Sequence, residues 1–252
     1  MISKNKESAS MVWLSRTELL IGEQSLELLQ NSHVLVIGLG GVGSFATEFL
    51  VRSGVGKLTI IDGDTVDITN INRQLQALHS TIGQSKAKML ADRLQDINPN
   101  VILTTFDSFM EPNDMDTLLS TQSFNFVMDC IDSLSPKLRL ITWAKRHKLP
   151  FISAMGAGGK LDPSKIKIAD ISKTKECKFA QTIKKRLKRE GIREGILTVY
   201  SEEIQPKTAL LMTDGANYKR SFYGTISYMP ALFGLMMASE VIRRLGKLKN
   251  NK

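Results

Sequence analysis

Cysteine is almost missing from this chain: Cys130 and Cys177 are the two thiols among 252 residues. Two cysteines build no disulfide framework, and without a C-x-x-C pair they supply no zinc ribbon. A reducing cytoplasm is therefore the simplest setting. Long apolar runs are also lacking. The longest apolar region, residues 225 to 239, is shorter than the ~20 residues a spanning helix needs and contains Pro230 and Gly234. It reads as a buried terminal helix, and no transmembrane segment is expected. Lys4 and Lys6 have no apolar core behind them, so no secretory signal is expected. The polar residues 1 to 12 read as a frayed end.

Acidic residues are outnumbered, with 25 Asp and Glu against 34 Lys and Arg and a formal net charge of +9. Such an excess suits an anionic partner, or belongs to a generically basic protein, and its distribution separates the two. Residues 173 to 193 carry nine cations and two acids, so seven of the nine net charges lie in that one segment. Within it Phe179, Ile183 and Leu187 fall on one helical face, and Lys184, Lys185, Lys188 and Arg189 are expected to turn to solvent. A solvated face is the plain reading, but such a face normally intersperses acids. Contact with a phosphate backbone is the preferred one.

What the chain does have is an ordinary globular composition, 42% hydrophobic, and a nucleotide pocket written in order. Val34-Leu35-Val36-Ile37 leads into Gly38-Leu39-Gly40-Gly41-Val42-Gly43, where the G-x-G-x-x-G spacing permits a tight turn, a close phosphate and a closely packed helix. That helix aims its positive end at an anion. Leu58-Thr59-Ile60-Ile61 follows at crossover distance and ends in Asp62, whose carboxylate suits ribose hydroxyls. NAD, FAD and ATP fit equally to this point. Asn70, Arg73 and Lys86 come next, and cations beside a phosphate site stabilise the charge that builds as a phosphorus–oxygen bond breaks. Nucleotidyl transfer is favoured over hydride transfer.

Strands are expected at about 34–38, 58–62, 101–105, 125–129 and 150–153, alternating with helices. That pattern gives an α/β fold with a Rossmann-like, doubly wound, mostly parallel sheet. Asn98-Pro99-Asn100 stops the helix begun near Gln84, and Leu19, Leu20, Leu26, Leu28 and Leu29 form a helical cover over the sheet. Asp62, Asp129 and Asp132 fall at strand ends, where ligands gather. Asp129 reads as an ordinary turn residue. Cys130 reads as core and Cys177 as an incidental thiol.

These motifs, with Asp62-Gly63-Asp64, Thr69-Asn70-Ile71-Asn72-Arg73-Gln74, Gly83-Gln84-Ser85-Lys86-Ala87 and Asp129-Cys130-Ile131-Asp132, resemble the adenylating superfamily of ubiquitin-activating enzymes and their bacterial relatives in thiamine and molybdopterin synthesis. The match runs from about Arg16 to Asp170. The resemblance implies an ATP site made of Gly38, Gly40, Gly41, Gly43, Asp62, Asp64, Asn70, Arg73, Lys86, Asp132 and Ser133, with Arg73, Lys86 and Asp132 catalytic. It also implies that Asp132 binds the magnesium bridging the phosphates, as suits a hard oxygen ligand. Ser133 departs from the asparagine often found there. In dimeric relatives an arginine at the place of Arg16 reaches the partner's triphosphate, so a homodimer is implied.

Gly156-Ala157-Gly158-Gly159-Lys160-Leu161-Asp162-Pro163 and the stretch from Gly224 to Gly234 resemble the branch acting on tRNA, the threonylcarbamoyladenosine dehydratases. The function implied is adenylation of the carboxylate of N6-threonylcarbamoyladenosine beside the anticodon, followed by intramolecular closure. Residues 16–170 would be the nucleotide-binding core, and 171–252 a C-terminal α+β extension that binds tRNA through Lys184, Lys185, Lys188 and Arg189, all within one domain. Sulfur-transfer proteins are candidate partners. Two alternatives stand: adenylation of the C-terminus of a ubiquitin-like sulfur carrier, and a non-catalytic scaffold binding nucleotide and tRNA. The first commonly comes with two C-x-x-C pairs, which this sequence lacks.

Overall fold

In the computed structural model, which describes residues 9–110, 112–212 and 221–248, strands and helices alternate from the first strand to the fifth. Two helices, α1 (Ser15–Ile21) and α2 (Glu23–Gln30), lead into β1 (His33–Ile37). Then follow α3 (Gly43–Arg52), β2 (Lys57–Ile61), α4 (Lys86–Ile97), β3 (Ile102–Phe106), α5 (Pro112–Thr121), β4 (Phe126–Asp129), α6 (Leu134–Arg146) and β5 (Phe151–Ala154). The remainder is β6 (Ile166–Asp170), α7 (Lys178–Arg189), β7 (Leu197–Ser201), a hairpin of β8 (Leu210–Met212) and β9 (Ser221–Tyr223), and α8 (Tyr228–Leu245). Of the stretch expected to fray, residues 1–8 lie outside the described residues, and Ala9–Leu14 forms a 3-10 helix.

The seven-stranded sheet runs β3-β2-β1-β4-β5-β7-β6, with β6 antiparallel at its edge and the other pairs parallel. Strands covered on both faces read as unbroken apolar runs, and β1 shows why: Val34 and Val36 enter one core, Leu35 and Ile37 the other. The first core takes Ala46, Leu50, Leu90 and Leu94 from α3 and α4, with Phe233, Met237 and Val241 from α8. The second takes Met115, Leu118 and Leu140 from α5 and α6. A third gathers Ile183 and Leu187 of α7 with Ile141, Ile196 and Tyr200.

The apolar region after Thr225 is a helix as expected, and no helix among the described residues is long and apolar enough to cross a membrane. A Cβ at Gly234 would collide with the carbonyl of Val42, so this glycine lets α8 lie directly behind the glycine loop. The N-terminal cover differs from expectation. Leu26 and Leu29 are buried, but Leu19 and Leu20 are 89% and 85% exposed. The chain turns at Gly22, with φ +83°, and α2 buries Leu26 and Leu29 while α1 puts only Ile21, half-buried, against the core.

Candidate active site

The strand order reverses between β1 and β4, and crevices in open α/β sheets form at such a switch point. The loops after both strands meet there. Gly38 leaves β1 with φ +90°, and a side chain on it would press against the Cys130 carbonyl at 2.9 Å. A Cβ on Gly43 would strike the carbonyl oxygen of Gly38, which is the close helix-to-strand approach the motif requires. Gly40 is different: the nearest atom to a Cβ there is Gln74 Nε2 at 3.7 Å, ordinary contact. Protein packing leaves room at Gly40, on the side facing the cleft.

A single cleft of about 2740 Å³ is lined by Gly38, Gly40, Gly41, Asp62, Asp64, Asn70, Arg73, Lys86, Asp132 and Ser133. Asp62 accepts the N–H of Leu39 at 2.6 Å and of Asp64 at 2.8 Å, which fixes its carboxylate at the end of β2. Each oxygen keeps a further lone pair for a ligand hydroxyl. Burial pushes the Asp62 carboxyl above its ordinary value, against the Lys86 ammonium and those two N–H groups. Lys86, 5% exposed, donates to Asp64 Oδ2 at 2.9 Å. Arg73 donates to the Thr69 carbonyl and to Asn72 Oδ1. Burial draws its guanidinium down, and the charges of Asp132 and Asp67 oppose that shift. Asn70 is buried and caps its own turn by accepting the Asp67 N–H. Asn72 reaches across to the Thr225 carbonyl, joining this loop to the segment before α8.

Three sets of residues stand apart from this convergence. Gly43 packs beneath the cleft rather than lining it. Arg16 borders a separate surface recess with Ser239 and Arg243. The four cations expected on the outer face of α7 do not line the cleft either. Lys185, Lys188 and Arg189 are exposed as expected, but Lys184 is not turned to solvent: it folds back, half-buried, and donates to the Thr174 carbonyl at 2.9 Å.

Other residues were not foreseen. Asp129 is no ordinary turn residue: it is fully buried, accepting from Lys137 Nζ and from Ser153 Oγ, each at 2.6 Å, while its other oxygen takes the Ile131 N–H. This ion pair, dry on both sides, anchors the loop that presents Asp132. Lys137 lies three residues from Leu134 and Leu140 on a helix, so a lysine on an apolar stripe was the available signal. The side-chain carbonyls of Gln74 and Gln76 are buried with no hydrogen-bond partner among the described residues, and Gln74 lines the cleft beside Gly40. Both thiols are buried, as the reading of Cys130 as core expects: its Sγ lies 3.9 Å from Met237 Sδ, and burial pushes its pKa up. Cys177 packs into the third core.

Known proteins are similar to this chain over nearly its whole length. The tRNA threonylcarbamoyladenosine dehydratase of Bacillus subtilis (strain 168) is 38% identical over 240 residues, spanning 92% of this chain and 94% of that one. The Escherichia coli (strain K12) enzyme of the same name is 34% identical over 94% of this chain and 95% of its own. The crystal structure of the E. coli enzyme in complex with ATP superposes with a TM-score of 0.83 at 34% identity, covering 97% of this chain and 96% of that one. The model of the ThiF family matches residues 14–252, and this chain belongs to that family.

Proposed function

We infer that this chain catalyses the ATP-dependent cyclisation, a net dehydration, of N6-threonylcarbamoyladenosine next to the tRNA anticodon. The observation that carries the reading is the cleft itself, which gathers a glycine cradle, Arg73, Lys86 and Asp132 while both thiols stay buried. Full-length likeness to dehydratases, one of them solved with ATP, supports it.

In this reading the glycine loop and Asp62 hold the nucleotide, and Asn70 keeps the loop carrying Arg73 in register. Arg73 and Lys86 bind the phosphates, with Asp64 orienting the Lys86 ammonium and Ser133 beside Asp132. The base's free carboxylate attacks the α-phosphorus, a new P–O bond forms, and pyrophosphate leaves. The carbamoyl group of the same side chain then attacks the activated carbonyl, and AMP carries away the carboxyl oxygen. Because attacker and target share one side chain, effective molarity takes the place of a covalent enzyme intermediate. The protein must stabilise charge and exclude water.

The Asp132 carboxylate lines the cleft beside Ser133, and magnesium is an ion held by one or two carboxylates plus substrate phosphates. Asp132 would hold it, and when bound the ion neutralises phosphate charge. Arg16 and the exposed Leu19 and Leu20 on α1 suit a homodimer in which a second copy covers this face. Residues 171–252 would carry the tRNA-binding part, with the cations of α7 as its phosphate contacts.

Carrier-protein adenylation has no zinc pairs and no accessible thiol to support it, and a non-catalytic scaffold would not need Arg73, Lys86 and Asp132 together. AMP release tests the choice. The dehydratase reading expects AMP with threonylcarbamoyladenosine-bearing tRNA; pyrophosphate released only with a carrier protein, which keeps the AMP as its adenylate, or no AMP with the tRNA, would overturn it.

A further inference from the structure

The cleft does not end at the nucleotide site. It continues outward between α6 and α7, where α6 contributes Ser135, Arg139, Thr142 and Arg146, and α7 contributes Lys178, Thr182, Arg186 and Glu190. On each helix these residues recur every three or four positions, so each set is one face. The walls are joined at one point, where Thr142 donates to Glu190 Oε2 at 2.9 Å. Arg139, Arg146, Lys178 and Arg186 are exposed, and among the described residues Arg146, Lys178 and Arg186 form no ion pair. Of the acids lining the cleft here, Glu190 at the end of α7 accepts from Thr142, and Asp116 of α5 accepts from the indole of Trp143. Phe179, half-buried, also lines the cleft, within ordinary contact distance of Gly156 in the glycine-rich turn.

We propose that the α6–α7 groove is the track along which the substrate's single-stranded RNA enters, with Lys178 and Arg186 on one wall and Arg146 on the other gripping its phosphates. The proposal rests on the tRNA reading above and relocates the grip from the outer face of α7 to the edge that faces the cleft. A base whose carboxylate must reach the nucleotide brings its neighbouring phosphates into the same opening, so the cations that matter line the approach. A positive groove with an aromatic face beside it is how single strands are held with little sequence preference. A peptide tail offers one terminal carboxylate, whereas an RNA strand offers a charge at every nucleotide to match several unpaired cations.

The test measures binding of threonylcarbamoyladenosine-bearing tRNA and of ATP at several salt concentrations. The variants are Lys178→Gln with Arg186→Gln, and separately Lys185→Gln with Lys188→Gln and Arg189→Gln. Removing two phosphate contacts lowers the salt slope by about 1.4 for single-strand and about 1.8 for duplex contacts. The groove pair is expected to show that drop and on the order of tenfold weaker tRNA binding, with ATP affinity unchanged; Lys178→Arg with Arg186→Lys is expected to restore the slope. An unchanged slope in the groove pair, or a drop confined to the outer-face triple, overturns the proposal. So does a groove pair that loses ATP affinity along with tRNA, because its side chains would then serve the nucleotide site or the fold. Wild-type protein that binds this tRNA without salt dependence and makes no AMP from it would remove the dehydratase reading, and this proposal with it.

Discussion

Arg73 and Asp132 approach the cleft from different loops, one after β2 and one after β4, and the Asp132 charge acts on the Arg73 guanidinium. If they act on the phosphate charge of the first step, Arg73→Ala and Asp132→Asn should each lower AMP formation by ~100-fold or more with the fold intact. Near-wild-type turnover in either variant would remove that residue from the mechanism. Behind Asp132, Lys137 and Asp129 form an ion pair with both side chains at 0% exposure. Lys137→Met should destabilise the protein by about 3–5 kcal/mol, because it strands a buried carboxylate. Adding Asp129→Asn should recover part of that loss. Thermal unfolding of the single and double variants checks this, and a double variant no better than the single would mean that Lys137 acts through packing alone. At this scale the lining of the cleft was legible where a motif names its residues, as with Gly38, Asp62, Arg73 and Lys86. Lys137 escaped because periodicity counts lysine as polar, and the fate of Lys184 escaped because a long side chain can fold back onto a carbonyl outside its own helix.

Helices α3 and α4 bring the glycine loop and Lys86 to the cleft, and they are braced from behind. Glu48 of α3 accepts from Arg93 of α4 at 2.6 Å and from Arg52 at 2.7 Å. Burial acts to raise the Glu48 carboxyl, but the two guanidiniums outweigh it and hold the pKa below its ordinary 4.5. A carboxyl lowered in the folded state contributes stability that is fully present above the unfolded value and lost as pH falls through the folded one. Glu48→Gln should therefore lower the Tm at pH 7, and the gap to wild type should close as the pH drops below about 4.5. A gap of constant size would show that the brace is steric. The elements themselves were readable: the first five strands lie within one residue of expectation, because buried parallel strands are unbroken apolar runs. The place of β7 was not, since a strand inserted between β5 and the antiparallel β6 depends on long-range pairing that no local pattern encodes.

The whole molecule joins the proposed nucleotide site at the switch point of one sheet to a basic groove between α6 and α7, within a single cleft. Composition had pointed to an anionic partner and to a concentration of charge around α7. Which of that helix's cations face the cleft became visible only once α6 stood beside it. The central claim is that the protein closes a ring on a tRNA base at the expense of ATP, and nucleoside mass spectrometry reads that chemistry directly. Purified protein is incubated with ATP, magnesium and threonylcarbamoyladenosine-bearing tRNA, and the tRNA is digested under mild buffers that spare the cyclic product. The account predicts a nucleoside lighter by one water, formed only with ATP and in step with AMP. Unchanged threonylcarbamoyladenosine, alongside ATP-dependent adenylation of a carrier protein's C-terminus, would contradict it.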